Sequence, residues 1–145
     1  MDIGKMMQQL ANRGTAAGIA RNRCFGYPIA SPPVGSGSAL IVGYPDTINY
    51  DAVRGRGRDD VEGAVWLLVG MKHDPRTRDK LTAFAAGSGA SSLKTAFETT
   101  PEGEGPSAWS TIRIVSAEVE EYTTNAVTYL AYRFNYQISG PGQGA

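Results

Sequence analysis

Between Asp60 and Phe97 the residue pattern leaves little choice of local structure. Val61, Val65, Leu67, Val69 and Met71 alternate along one side of an extended chain, and Ala64, Trp66 and Leu68 make the other side apolar at its centre. A strand apolar on both sides belongs in the middle of a sheet, covered on both faces. His73-Asp74-Pro75 ends it. Proline has no N–H to give to a ladder, and Asp74 before Pro75 suits a helix cap and first turn. Leu81, Phe84 and Ala85 then share a helical face, and after Gly87-Ser88-Gly89 the spacing returns in Leu93, Ala96 and Phe97, with Ser91 or Ser92 as cap. A central strand with helices laid against it is the expectation.

The flanking segments extend this pattern. Ile3, Met6, Met7, Leu10 and Ala11 fall at helical spacing, with Asp2 as cap and Gly14 as the end. The stripe is short and poor in flanking positive charge, so packing on a sheet is favoured over membrane binding. Cys24–Ile29 reads as a short strand, 31–38 as a loop, and Ala39–Tyr44 as an apolar strand cut by Pro45. Thr47–Val53 reads as an exposed hairpin arm leading to a tip at 54–60. Pro101–Pro106 is an acidic loop. In Ile112–Tyr122 the apolar residues change sides, from Ile112 and Ile114 to Val115, Ala117 and Val119, which predicts a bulge near Ser116. Val127–Ile138 alternates cleanly: Leu130, Tyr132, Phe134, Tyr136 and Ile138 face one way, Arg133, Asn135 and Gln137 the other. The order helix, strands, helices, strands is α+β: a mainly antiparallel, mixed sheet with helices on one face. One domain over 1–140 and a flexible tail over 141–145 complete the expected organisation.

Composition narrows the function classes. Fourteen basic residues balance fourteen acidic ones among 145, so no net field draws the chain to nucleic acid or a membrane surface. No apolar run approaches the ~20 residues that span a bilayer, and the N-terminus has no signal-peptide core. A cytosolic origin is expected, which also fits a particle built inside a cell. Of eighteen glycines and eight prolines, most gather at 28–37, 55–57, 87–89, 101–106 and 140–144, which predicts several mobile loops.

Catalytic constellations find few members. His73 is the only histidine and Cys24 the only cysteine, so a triad or a multi-histidine or cysteine metal site lacks residues. Cys24 reads as a buried structural thiol. Asp59-Asp60 and Glu120-Glu121 are strand neighbours that point to opposite faces and share no site. Gly87-Ser88-Gly89-Ala90-Ser91-Ser92 could cradle a phosphate at a helix start, but Lys94 follows Leu93 instead of a glycine, and a plain helix connector is favoured. No enzyme and no cofactor are expected. Arg54, Arg56 and Arg58, interleaved with Gly55 and Gly57, read either as a solvated hairpin tip or as a contact for phosphates or an acidic partner. Repeated around a ring, the three would form a positive belt.

Several phrases of the chain resemble one family. They are the Met1-to-Leu10 helix, Gly43-Tyr44-Pro45-Asp46-Thr47-Ile48-Asn49-Tyr50-Asp51-Ala52, Gly55-Arg56-Gly57-Arg58-Asp59, Val69-Gly70-Met71-Lys72 through Arg78-Asp79-Lys80-Leu81, Gly87-Ser88-Gly89 and Ser92-Leu93-Lys94. Together they resemble the tail terminators of long-tailed bacteriophages of actinobacteria, small head–tail junction proteins, over roughly Met1 to Gly140. Related connector and stopper proteins of the neck share the size and fold class.

The resemblance implies a virion protein assembled in the host cytoplasm. It would form a homo-oligomeric ring, typically of six subunits, on the head-proximal end of the tail tube. Its partners would be the major tail tube protein and the head–tail connector or stopper, with genomic DNA passing the lumen. The family carries no catalytic residues. Arg54, Arg56 and Arg58 as lumen or subunit contacts come from their spacing alone. Another neck ring is the nearest alternative, and a small phosphate-binding domain using Gly87–Ser92 a more remote one.

Overall fold

The computed structural model describes residues 1–27, 38–50, 57–71, 75–101, 103–124 and 127–141. The elements run α1 (Ile3–Arg13), β1 (Cys24–Phe25), β2 (Ala39–Val42), β3 (Thr47–Asn49), β4 (Arg58–Met71), α2 (Pro75–Ala85), α3 (Leu93–Glu98), β5 (Thr111–Thr124) and β6 (Val127–Pro141). The sheet has the order β1-β2-β4-β6-β5, and β3 also pairs with β4. Among the described strands, only the β1–β2 pair is parallel. The fold is α+β with a mixed sheet, as the element order implies.

β4 is the central strand. It pairs with β2 and β3 on one side and along nearly its whole length with β6 on the other. Val61, Val65, Leu67 and Val69 are buried beneath the helices, joined by Leu40 and Val42 of β2 and by Phe134, Tyr136 and Ile138 of β6. From α1 come Met6, Met7, Leu10 and Ala11, from α2 Leu81, and from α3 Leu93, Ala96 and Phe97. Burying each large side chain contributes about 1.5–3 kcal/mol, so this layer dominates the stability. The opposite face of β4 is covered as well: Ala64 and Leu68 are buried there. Ala39, Ile41, Leu68, Tyr129 and Ala131 form a small second cluster edged by Phe25 and Trp66, and no described helix contributes to it.

Local signals explain the element ends. Asp2 Oδ1 accepts from the Lys5 N–H at 3.0 Å, and Gly14 closes α1 before a 3-10 turn over Gly14–Ala17. Ser92 caps α3 by accepting from the Thr95 N–H at 3.3 Å. The bulge in β5 lies between Ile114 and Ser116. It brings Ala117 and Val119 onto the same face as Ile112 and Ile114, because Ala117 pairs with Phe134 and Val119 with Tyr132. A second irregularity, between Leu68 and Gly70 of β4, has no counterpart in the apolar pattern.

Two expectations need correction. Pro141 does not begin a tail but continues β6 and pairs with Arg58, next to the buried Gly140 paired with Asp59. Residues 142–145 lie outside the described residues, as do His73 and Asp74 of the expected strand stop and the loop at 31–37. The acidic loop is also not loose. Glu104 is anchored in it, between Gly103 and Gly105 at φ +80° and +81°, a backbone region that glycine enters without cost.

Candidate assembly surface

The arginine cluster was the sharpest site expectation. Arg54 and Arg56 lie outside the described residues. Arg58 opens β4, half-exposed, with its Nε 3.6 Å from Asp60 Oδ1. Asp60 also accepts from the Ser139 hydroxyl. Exposed pairs of this kind contribute about 0–1 kcal/mol, so Arg58 keeps access to solvent while its charge is partly balanced within the chain. Asp59 points the other way and is buried beneath the N-terminal ammonium of Met1, 3.3 Å distant. The adjacent carboxylates therefore serve separate contacts, as strand geometry requires.

The polar groups that sequence reasoning missed lie in two networks. One joins α1 to the segment after α3. Arg13, 1% exposed, donates to Glu104 through Nε (2.9 Å) and Nη2 (2.8 Å), donates from Nη1 to the Phe97 carbonyl at 2.6 Å, and stacks over Trp109 at 4.6 Å. Gln9, one turn earlier, donates to the Pro106 carbonyl and accepts from the Ala108 N–H. Gln9 and Arg13 fall at the spacing of the apolar stripe, three residues after Met6 and Leu10. That was the signal to find them.

The other network covers the helix-free sheet face. Trp66 Nε1 donates to Glu120 Oε2 at 3.0 Å, and Arg133 lies over the Trp66 ring while donating to Asp46 at 2.9 Å. Asn135 donates to Ser116 and Gln137 to Glu62. A cleft of about 210 Å³ opens between these pairs, lined by Asp46, Glu62, Asn135 and Gln137 with Tyr136 beneath. Burial and the nearby Asp46 carboxylate push the Tyr136 phenol well above its ordinary pKa of 10, so it stays neutral. The expected wet side of β6 is this face.

At the Gly87–Ser92 connector, the Ser92 hydroxyl occupies the helix N-terminus, bonded to the Thr95 N–H and the Ala86 carbonyl. A shallow cavity of about 240 Å³ beside it is lined by Ala16, Gly89, Ala90, Ser92, Thr95, Ala96, Thr99 and Pro101, with no cation among them. Cys24 is half-buried against the main core, and desolvation pushes its thiol up to about 11. Among the described residues, no group of three or more His, Cys, Asp or Glu could hold a metal ion.

No protein-family model, curated protein or solved structure matches the chain.

The sheet margins complete the surface. β5 is fourteen residues long and pairs only with β6 among the described strands, leaving its outer edge open. Val115 and Val119 stand 46% and 61% exposed on it. Part of this edge is blocked: Glu98, at the end of α3, accepts from the Ile114 N–H at 2.9 Å. Partial desolvation raises the Glu98 pKa, but its bonds to Lys94 and to the Ile114 amide outweigh that and hold it below the ordinary 4.5. Edge capping stops at the bulge, and beyond it the strand can still pair.

Proposed function

We propose that this chain is a structural subunit of the bacteriophage head–tail junction, a tail terminator that forms a ring on the head-proximal end of the tail tube. There it halts tube growth and presents a surface to the head connector. The observation that carries the proposal is β5: a long edge strand, open beyond its bulge and carrying exposed Val115 and Val119. An open edge strand is a ready template for pairing with another chain, which an assembling subunit can use.

The sequence phrases of the tail terminators support the same reading; the described parts of two of them hold β3 and the start of β4. In this account six copies close the ring, and the tube protein and the connector or stopper are its neighbours. Assembly takes place in the host cytoplasm, and the protein resides in the virion. No described helix is long and apolar enough to cross a membrane. Arg54, Arg56 and Arg58 line the lumen or a subunit contact, close to the DNA that passes.

Negative-stain imaging over a concentration series, with mass from light scattering, tests ring formation. Closed rings support the proposal, and monomers at every concentration would remove spontaneous ring closure from it. An Arg54/Arg56/Arg58→Ala variant that assembles and binds tubes like wild type would remove the arginine role. Binding to connector complexes but not to tubes would make the chain a neighbouring neck ring.

A further inference from the structure

An edge strand presents a row of backbone N–H groups that a strand from another chain can fill. On β5 one of these groups is already filled from within. Glu98 Oε2 accepts from the Ile114 N–H at 2.9 Å, where a neighbouring strand would place a carbonyl. The register of β5 shifts between Ile114 and Ser116, so the bonded amide stands at the bulge itself.

The contact is held at both ends. Lys94 Nζ, one turn back on α3, lies 2.6 Å from each Glu98 carboxylate oxygen. The residue before Glu98 is fixed as well: the Phe97 side chain is fully buried, and its carbonyl accepts from Arg13 Nη1 at 2.6 Å. Glu98 is also the last residue of α3, where a carboxylate meets the negative end of the helix dipole. The helix gains nothing from an anion there; the Lys94 ammonium and the Ile114 amide compensate it.

We infer that Glu98, clamped by Lys94, is an autoinhibitory latch on β5: it keeps the Thr111–Ile114 part of the edge from pairing with another copy of the chain, and that pairing begins only when the carboxylate leaves Ile114. An approaching strand must displace a charged acceptor before it can bond, and bonds of that kind are the stronger ones. Because Phe97 is locked, release is a rotation of the Glu98 side chain and not a movement of α3. Latch and bulge together divide β5 into a closed part and the part that carries exposed Val115 and Val119. The inference goes beyond the ring reading and does not depend on it, since the latch acts on the free chain.

The test compares wild type with Glu98→Ala, Glu98→Gln and Lys94→Ala, after thermal melts show that each is folded. Light scattering over a concentration series gives self-association, and quenched hydrogen exchange gives the protection of the Ile114 amide in free and associated protein. Glu98→Ala should associate at concentrations about tenfold below wild type, since losing a hydrogen bond to a charged group shifts an equilibrium by roughly that factor. Its Ile114 amide should lose protection in the monomer and regain it in the assembly, where a strand of another copy has taken it. Glu98→Gln keeps an oxygen that can accept from Ile114 and should lie nearer to wild type, which separates the latch from a simple loss of negative charge. Lys94→Ala leaves the carboxylate without its clamp and should fall between wild type and Glu98→Ala; it carries the test where Glu98→Ala melts early. A folded Glu98→Ala that associates no more than wild type would overturn the latch. So would assemblies whose Ile114 amide stays unprotected, or Glu98→Gln associating as strongly as Glu98→Ala. Association is read as the excess over wild type, so these outcomes leave the ring proposal to its own test.

Discussion

Arg13 and Glu104, ninety-one residues apart, meet in a bidentate ion pair that is almost wholly removed from solvent. The guanidinium completes its bonds on the Phe97 carbonyl and the Thr100 hydroxyl and lies over Trp109. One side chain at the end of α1 thus fixes α3, the acidic loop and the approach to β5. The loop that looks most mobile in sequence is held at its centre, and β5 takes its position partly from it.

Removing one partner of this pair strands the other charge in the interior. Arg13→Ala is expected to cost about 3–5 kcal/mol, as breaking a buried pair does. At about 2–4 °C per kcal/mol for a domain of this size, the melting temperature should fall by roughly 6–20 °C. A double-mutant cycle with Glu104→Ala should show the two losses strongly non-additive, because the second substitution removes a charge already left alone.

Gly43 lies against the Trp66 indole. A Cβ at that position would stand 2.4 Å from Cζ3 of the ring, so Gly43→Ala must displace Trp66 from Glu120 and Arg133. Overpacking of this kind costs about 1–3 kcal/mol. Indole fluorescence, read in a Trp109→Phe background, should shift toward that of a more solvated ring, while Gly57→Ala, in open space, should leave it unchanged.

Cys24 should be a poor nucleophile near neutral pH. Its folded pKa of about 11 is raised above the ordinary 9.0 by desolvation, so the thiol is protonated at pH 7 and alkylates more slowly than a free thiol. The sign for stability follows. The contribution of the neutral thiol is fully present below pH 9 and is lost as pH rises from 9 toward 11. Thiolate absorbance in native and denatured protein, titrated in parallel, should show the two midpoints separated in that direction.

Glu98 titrates the other way. Its folded pKa lies below 4.5, so its contribution is present above that pH and fades as the pH falls through the lowered value. The observable is local: the protection of the Ile114 amide, measured against its intrinsic exchange rate at the same pH, should fall as the pH drops through the lowered value, and Glu98→Ala should lower it above that value. Equal exchange in the variant would show that Glu98 does not guard the edge.

What the sequence revealed depended on the range of the interaction. α1 was readable from its stripe and the Asp2 cap, and β4 and β6 from their alternation, because period and capping are local. Even the β5 bulge was legible, since Ile114 and Val115 are apolar in succession and only a slipped residue reconciles them. Arg13–Glu104 and Trp66–Glu120 were not, because each joins distant segments and leaves no local trace beyond a polar residue at an apolar spacing. The cover of the second face of β4 was readable from Ala64, Trp66 and Leu68, but what supplies it, β2, Tyr129 and the Trp66–Arg133 stack, was not. Of the arginine cluster, Arg58 lies among the described residues, and its neighbour Asp60 balances part of its charge.

Tube capping tests the central claim most directly. Growing tail tubes would be mixed with the purified protein in molar excess, and tube lengths and ends measured by negative-stain imaging. The account predicts that elongation stops and that one end of each tube, always the same one, carries an added ring of density. Tubes that keep growing at the same rate with both ends bare would contradict it.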